Sequence, residues 1–285
     1  MLDDREYMRE PSDYGANRWR MATTILLIIN LVVFIAQDFM HRSAPRFPLD
    51  GYLGLSWAGL AKGYVWQLLT FQFLHANILH LVLNSLGVFT FGFAVEQFLG
   101  RKRFLGLYLV SGVVGGLVHV LGSLVWPSHF GVVVDAFGKF YIPMVGASAG
   151  LFGLIAAFAL MFPERDLTVY LFFVFPVTVS AKVLLGVSVG ISILGVMIDK
   201  SNVAHGAHAG GMLGGWLMLR AFARRSRRQA ELETQAESEP VKSETEFLNK
   251  EVDAILEKIS RQGIQSLTSA ERKTLEAARK KMENR

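Results

Sequence analysis

The chain has 285 residues, 52% of them hydrophobic and only 19% charged, below the quarter that a soluble domain usually carries. The charges crowd the two ends and leave the middle strongly apolar, which excludes an ordinary water-exposed globular domain and points to a membrane. No cysteine is present, which excludes a disulfide framework and a thiolate metal site.

Residues 1–20 are polar and read as an N-terminal segment outside the bilayer. Crossing the hydrocarbon takes roughly 20 mostly apolar residues in a helix, because lipid leaves no exposed backbone group a partner. Six stretches qualify: residues 21–37, which is on the short side, 76–98, 104–126, 146–162, 181–198 and 206–222. The first follows twenty polar residues and is not followed by a small-x-small cleavage site, so it reads as a retained anchor. Between the first two spans, residues 38–75 place Leu53, Leu55, Trp57, Leu60, Tyr64 and Trp66 among many glycines, the composition of an interfacial loop. Residues 168–180 (TVYLFFVFPVTVS) form an apolar run broken by Pro176. This reads as a half-buried connection into the fifth helix, with one long kinked helix as the alternative.

After the sixth span, residues 223–245 read as a basic then acidic flexible linker. From residue 246 onward, Leu248, Val252, Ile255, Leu256 and Ile259 follow helical spacing, and Gly263 supplies a stop. Thr268 and Glu271 have the spacing of a capping box that opens a second helix through Leu275 and Ala278. Residues 246–285 are thus expected to form a small cytoplasmic helical hairpin with no catalytic constellation. The fold class is all-α and polytopic: a six-helix membrane bundle over residues 21–222 with this hairpin appended.

Lys and Arg near the spans set the orientation. With the N-terminus inside, the inner segments hold Arg5, Arg9, Arg18, Arg20, Arg101, Lys102, Arg103, Arg165, Arg220, Arg224, Arg225, Arg227 and Arg228. The outer segments hold only Arg42, Arg46, Lys62, Lys139 and Lys200. Thirteen against five predicts both termini in the cytoplasm of a multi-pass cell-membrane protein. The net charge of +5 is then a consequence of topology, and no nucleic-acid partner is implied.

Polar side chains within spans are expensive and mark function by default. His80 and Asn84 lie four residues apart on one face of the second span, Ser148 opens the fourth, and His208 opens the sixth. An inside N-terminus makes every even-numbered span begin outside, so these four residues share one layer near the outer leaflet. Gly146 and Gly150 flank Ser148, and Gly210, Gly211, Gly214 and Gly215 follow His208. Such small-xxx-small faces let helices approach closely in lipid. A serine hydroxyl needs a base to become a nucleophile, and histidine is the usual one. Asp199, in the loop before His208, is the nearest acid, so a dyad is expected in place of a triad. His80, Asn84 and the Ser148 N–H are natural oxyanion donors, and Phe152 is positioned to stack on the His208 imidazole. His75, His119 and His205 read as satisfied core histidines and His41 as solvated. GASAG also matches the G-x-S-x-G elbow of soluble hydrolases, but its flanks are of membrane length and no βα alternation surrounds it.

The segments WQLLTFQFLHANILHLVLN (66–84), VGASAGLFGL (145–154) and AHGAHAGGMLGG (204–215) together resemble the rhomboid family of intramembrane serine proteases over residues 21–222. The resemblance implies Ser148 as nucleophile, His208 as general base, and His80 and Asn84 at the oxyanion site. It further implies a water-filled cavity opening outward and single-span membrane proteins as substrates, with no cofactor and no metal. The chain departs from the family pattern at Ala149, where glycine usually follows the nucleophile, and at Gln67, where arginine often follows the tryptophan. Residues 127–145 are also long and are expected to shape substrate access. Two other classes compete. One is a catalytically inactive relative that binds membrane helices. The other is a transporter, which the absence of an inverted repeat disfavours.

Overall fold

The computed structural model describes residues 21–44, 49–130, 132–135, 138–171, 175–198 and 204–283. The N-terminal segment (1–20) and Asp199 lie outside them. The chain divides into two compact units, Met1–Ala221 and Phe222–Arg285.

In the first unit, α1 (Ala22–Ser43) is followed by three short helices, α2 (Leu49–Leu53), α3 (Trp57–Ala61) and α4 (Gln67–Thr70), the last running into a 3₁₀ turn. Then come α5 (Ile78–Leu99) and α6 (Arg101–Val125), joined at Gly100 with φ +78°. After β1 (Val132–Asp135) and β2 (Gly138–Tyr141) come α7 (Ser148–Met161), β3 (Asp166–Leu171), β4 (Phe175–Ser180) and α8 (Ala181–Ile198). Helical backbone α9 (His205–Gln262) begins in the first unit, where it carries residues 205–221.

Among the described residues four helices are long and apolar enough to cross a membrane: α1, α5, α6 and α8. α7 is apolar but has only 14 residues. α1 runs on to Ser43, past the expected end at residue 37. Leu31, Val32 and Ile35 on α1, Leu79, Val82 and Leu86 on α5, and Val187, Ile191 and Leu194 on α8 are exposed. Apolar exposure on this scale fits a lipid-facing surface and no aqueous one. α6 and α7 instead supply the interior. Buried Glu96 of α5 ties the bundle at one end. Its carboxylate accepts from the N–H groups of Ala22 (2.7 Å) and Thr23 (2.8 Å) and from the Thr23 hydroxyl (2.7 Å). These are the donors that the first turn of α1 leaves open.

Two sequence expectations change here. The described residues of 168–180 lead into α8 as strands and not as a kinked helix, because β3 and β4 pair antiparallel with Asp166 opposite Ser180 and Leu171 opposite Phe175. β-branched and aromatic residues favour this pairing. Pro176 cannot continue a helix but is tolerated in a two-stranded ribbon, where both strands are edges. The long segment before α7 likewise contains a ribbon, β1 with β2. The fold is therefore mostly helical with two small hairpins, not purely α.

In the second unit, helical backbone extends through residues 229–245, where a flexible linker was expected. The stretch is rich in Glu, with Ala and Gln, all good helix formers. α9 stops at Gly263 (φ +79°), and α10 (Ser269–Glu283) follows. Thr268 and Glu271 make the capping box: the Thr268 N–H donates to Glu271 at 2.7 Å, and the Glu271 N–H donates back at 3.3 Å. Lys258 on α9 pairs with the same carboxylate at 2.9 Å.

Candidate active site

The segment ahead of Ser148 is held by the interfacial loop that follows α1. Leu55 and Met144 exchange backbone hydrogen bonds of 2.9 and 2.8 Å, and the Gly146 N–H donates to the Phe71 carbonyl at 2.9 Å. Leu55, Phe71, Val120, Met144, Ala149 and Ala207 form one buried cluster beneath this junction. The loop in turn is fastened by Gln67, which is fully buried. Its carbonyl oxygen accepts from the Ser56 N–H (3.2 Å), and its amide nitrogen donates to the carbonyls of Gly51 (2.9 Å) and Tyr52 (3.3 Å). Trp66 Nε1 adds a bond to the Tyr52 carbonyl (2.9 Å) and the Thr70 hydroxyl one to that of Leu53 (2.6 Å). Gln67 thus anchors the loop through both ends of its amide, where the resemblance led to an arginine being expected.

Gly146 turns the chain into α7 with φ +130°. Only glycine fits: the conformation is strained for an L side chain, and a Cβ would stand 2.8 Å from His80 Nε2. Ser148 is the first residue of α7, so its N–H belongs to the helical turn that has no intrahelical acceptor. His208, in the first turn of α9, brings Nε2 to 3.1 Å from Ser148 Oγ. The approach is possible because Gly211 lies directly against the Ala149 carbonyl, and a Cβ there would come within 2.9 Å of the carbonyl carbon. Gly150 faces the Tyr108 ring, and Gly210 meets Val118 and Gly115 of α6. The Phe152 ring stacks on His208, with centroids 4.2 Å apart and planes at 19°.

A cavity of about 680 Å³ opens over the pair, lined among others by His80, Asn84, Ser148, Phe152 and His208. His80 Nδ1 accepts from the Ala76 N–H at 3.4 Å, which leaves the proton of the neutral ring on Nε2, beside Gly146. Asn84 is only 4% exposed, and its amide nitrogen has no hydrogen-bond partner among the described residues. A buried donor left open costs about 1–3 kcal/mol, and here it is an unspent donor beside Ser148. The lining contains no carboxylate among the described residues.

Sequence reasoning missed several features. Asn77 caps α5, its side-chain oxygen accepting from the His80 N–H at 2.9 Å; an Asn three residues before the first polar position was the available signal. His119 is buried as expected, but it lines the cavity and its Nδ1 has no hydrogen-bond partner among the described residues. It is not a satisfied core residue, and neither is His75, whose two ring nitrogens both lack one among the described residues. His41 is not simply solvated, since its Nε2 lies 3.5 Å from Asp50. Ala149 is absent from the cavity wall: a Cβ added at Gly115 of α6 would meet its methyl at 2.8 Å.

Fold and site together define a mostly helical, polytopic membrane protein with a serine–histidine pair at the mouth of an internal cavity. A family model described as a rhomboid domain matches residues 62–225, more than half of the chain, and the protein belongs to the rhomboid family. A second model, a family of unknown function designated DUF6576, matches residues 243–281. The chain is 30% identical over 177 residues to rhomboid protein 1, mitochondrial, of Saccharomyces cerevisiae, covering 60% of this chain and 47% of that one. It is 28% identical over 201 residues to rhomboid protease GluP of Bacillus subtilis, covering 70% and 34%. It is also 32% identical over 105 residues to inactive RHOMBOID-like protein 8 of Arabidopsis thaliana, covering 36% and 25%. The chain thus spans half or less of the length of these relatives.

Proposed function

We propose that this rhomboid is an active intramembrane serine endopeptidase that cuts membrane-spanning proteins near the outer face of the bilayer. The observation that carries the reading is the 3.1 Å contact between His208 Nε2 and Ser148 Oγ, which is hydrogen-bond reach for a base and its nucleophile. His208 Nε2 takes the hydroxyl proton as Oγ attacks the scissile carbonyl. The oxyanion is met by the Ser148 N–H, the open Asn84 amide and His80 Nε2–H. His208 then protonates the leaving amine, and water entering by the cavity releases the acyl group through the same base. Phe152 holds the imidazole plane where a triad would use a carboxylate. No cofactor or metal takes part.

The length of α7 supports the depth. At 1.5 Å per residue, its 14 residues span roughly 21 Å of a hydrocarbon core of roughly 30 Å. With the far end of α7 at the inner interface, Ser148 lies roughly 9 Å below the outer one. In the same reading the chain crosses six times in the cell membrane, α7 and the start of α9 completing the four long spans, with both termini cytoplasmic. Substrates are single-span proteins whose helix unwinds at the cavity.

An inactive, helix-binding role is the second reading, favoured by the match to a relative described as inactive. Labelling with a fluorophosphonate probe separates the two. Wild type is expected to label in detergent and in lipid and to cut a model span, while Ser148→Ala and His208→Ala do neither. Wild type that neither labels nor cuts would establish the second reading.

A further inference from the structure

Beside the catalytic cavity lies a second one of about 490 Å³ with a different chemistry. Gln37, Asp38 and His41 on α1, Asp50 on α2, and His75 and Asn77 ahead of α5 supply its polar wall. Part of its wall is shared: Ala76, Asn77, Ile142, Pro143 and Val145 line both cavities. The His75 ring approaches the His80 ring with centroids 5.3 Å apart, so the two spaces meet on the oxyanion side of the site.

The hydrogen bonds of this wall are directional. The Gln37 carbonyl oxygen accepts from the His75 N–H at 3.1 Å, and its amide nitrogen donates to Asp50 Oδ1 at 3.1 Å. The glutamine is therefore used internally. What stays open toward the cavity is acceptor capacity: carboxylate lone pairs on Asp50 and Asp38, and the imidazole of His75. Asp38 is held by Arg42 at 2.9 Å and Asp50 faces His41 at 3.5 Å, so two carboxylates stand against one guanidinium. His75 is 1% exposed, yet both of its ring nitrogens lack a hydrogen-bond partner among the described residues. Burial, and then the neighbouring His80, push its pKa down to about 4, so near neutral pH it offers an acceptor and no charge. A buried ring with open nitrogens at the wall of a polar cavity is costly unless something occupies that cavity.

We propose that this cavity is a subsite for a basic side chain, Lys or Arg, located a few residues from the scissile bond of a membrane-spanning substrate. An ammonium or guanidinium offers donors only and a positive charge, the complement of open acceptors and of carboxylates that outnumber the guanidinium beside them. The shared wall gives the geometry: Val145 is three residues from Ser148, so an extended substrate attached at the nucleophile passes the rim of the second cavity. The assignment of substrate chemistry rests on the protease reading above.

The test uses full-length Ser148→Ala protein in lipid nanodiscs and fluorescent single-span peptides. Arg, Gln or Glu is placed in turn at each of the positions flanking the bond, and wild-type cleavage of the same peptides is measured in parallel. At one position Arg is expected to bind about tenfold more tightly than Gln, the size of one charge-assisted contact, with Glu weaker than Gln. Adding Asp50→Asn should bring the Arg-to-Gln ratio to about twofold or less. The ratio is read within one protein, so a general loss of affinity does not imitate the effect. Asp38→Asn serves as the second variant should Asp50→Asn fail to fold. Equal binding of Arg and Gln at every position, or a ratio that survives the substitution, overturns the subsite. Cleavage without charge preference removes the subsite and leaves the protease reading. Charge-selective binding without wild-type cleavage does the reverse.

Discussion

Replacing Gln67 by leucine tests whether one buried amide fastens the interfacial loop and, through it, the nucleophile. Leucine has a similar volume, so the packing change is small. The polar change is not. The Ser56 N–H and the Gly51 carbonyl lose their Gln67 partners at 3.2 and 2.9 Å, while the Tyr52 carbonyl keeps Trp66 Nε1. The Ser56 N–H is the buried group left open, and the exposed Gly51 carbonyl can turn to water, so the destabilisation is about 1–3 kcal/mol. Chemical unfolding in mild detergent, followed by tryptophan fluorescence, reads the change directly, because Trp57 and Trp66 lie in this loop. Turnover of a reporter span should fall as well, since the loop holds the pre-nucleophile segment through the Leu55–Met144 and Phe71–Gly146 bonds. A stability change under about 0.5 kcal/mol, the scale of an ordinary surface substitution, would refute the anchoring argument.

Asn84→Ala should lower turnover about tenfold or more with the fold intact, as loss of an oxyanion donor does; unchanged turnover removes Asn84 from the site. Phe152→Ala frees the His208 ring from a stack at 4.2 Å and should reduce the rate of fluorophosphonate labelling more than substrate binding, which single-turnover kinetics resolves. Gly211→Ala forces α7 and α9 apart, because the new Cβ would stand 2.9 Å from the Ala149 carbonyl carbon. A shift of about 1 Å between Ser148 and His208 costs on the order of a hundredfold in rate, and a variant with wild-type kinetics would deny that this contact sets their spacing. Glu271 is held at a pKa of about 2 against the usual 4.5, by Lys258 first and then by Thr268. A lowered folded pKa means that its stabilising contribution is present above about 4.5 and is lost as pH falls toward 2. Amide exchange across α10 in the full chain should therefore accelerate over that window, and Glu271→Gln should remove the pH dependence.

The membrane character, the four polar residues that line the cavity and the capping box at Thr268 were all readable from the chain, because each depends on local composition or short spacing. Hydropathy is a property of a window, and Ser148, His208, His80 and Asn84 stand out where lipid makes polar groups costly. Four matters needed the tertiary structure. Residues 168–180 were ambiguous because a short apolar run fits a helix or a strand, and only backbone pairing with Asp166–Leu171 chooses between them. The reach of α7 was overstated because hydropathy does not register where the first helical hydrogen bond closes. Ala149 stands where glycine was expected after the nucleophile, and its methyl packs toward Gly115, a direction fixed by the neighbouring helix. Gln67 stands where an arginine was expected, and its partners are backbone groups of residues 51, 52 and 56. Sequence names the side chain that can donate and accept; the fold determines which buried groups come within its reach, since hydrogen bonding acts over about 3 Å and only folding brings distant residues that close.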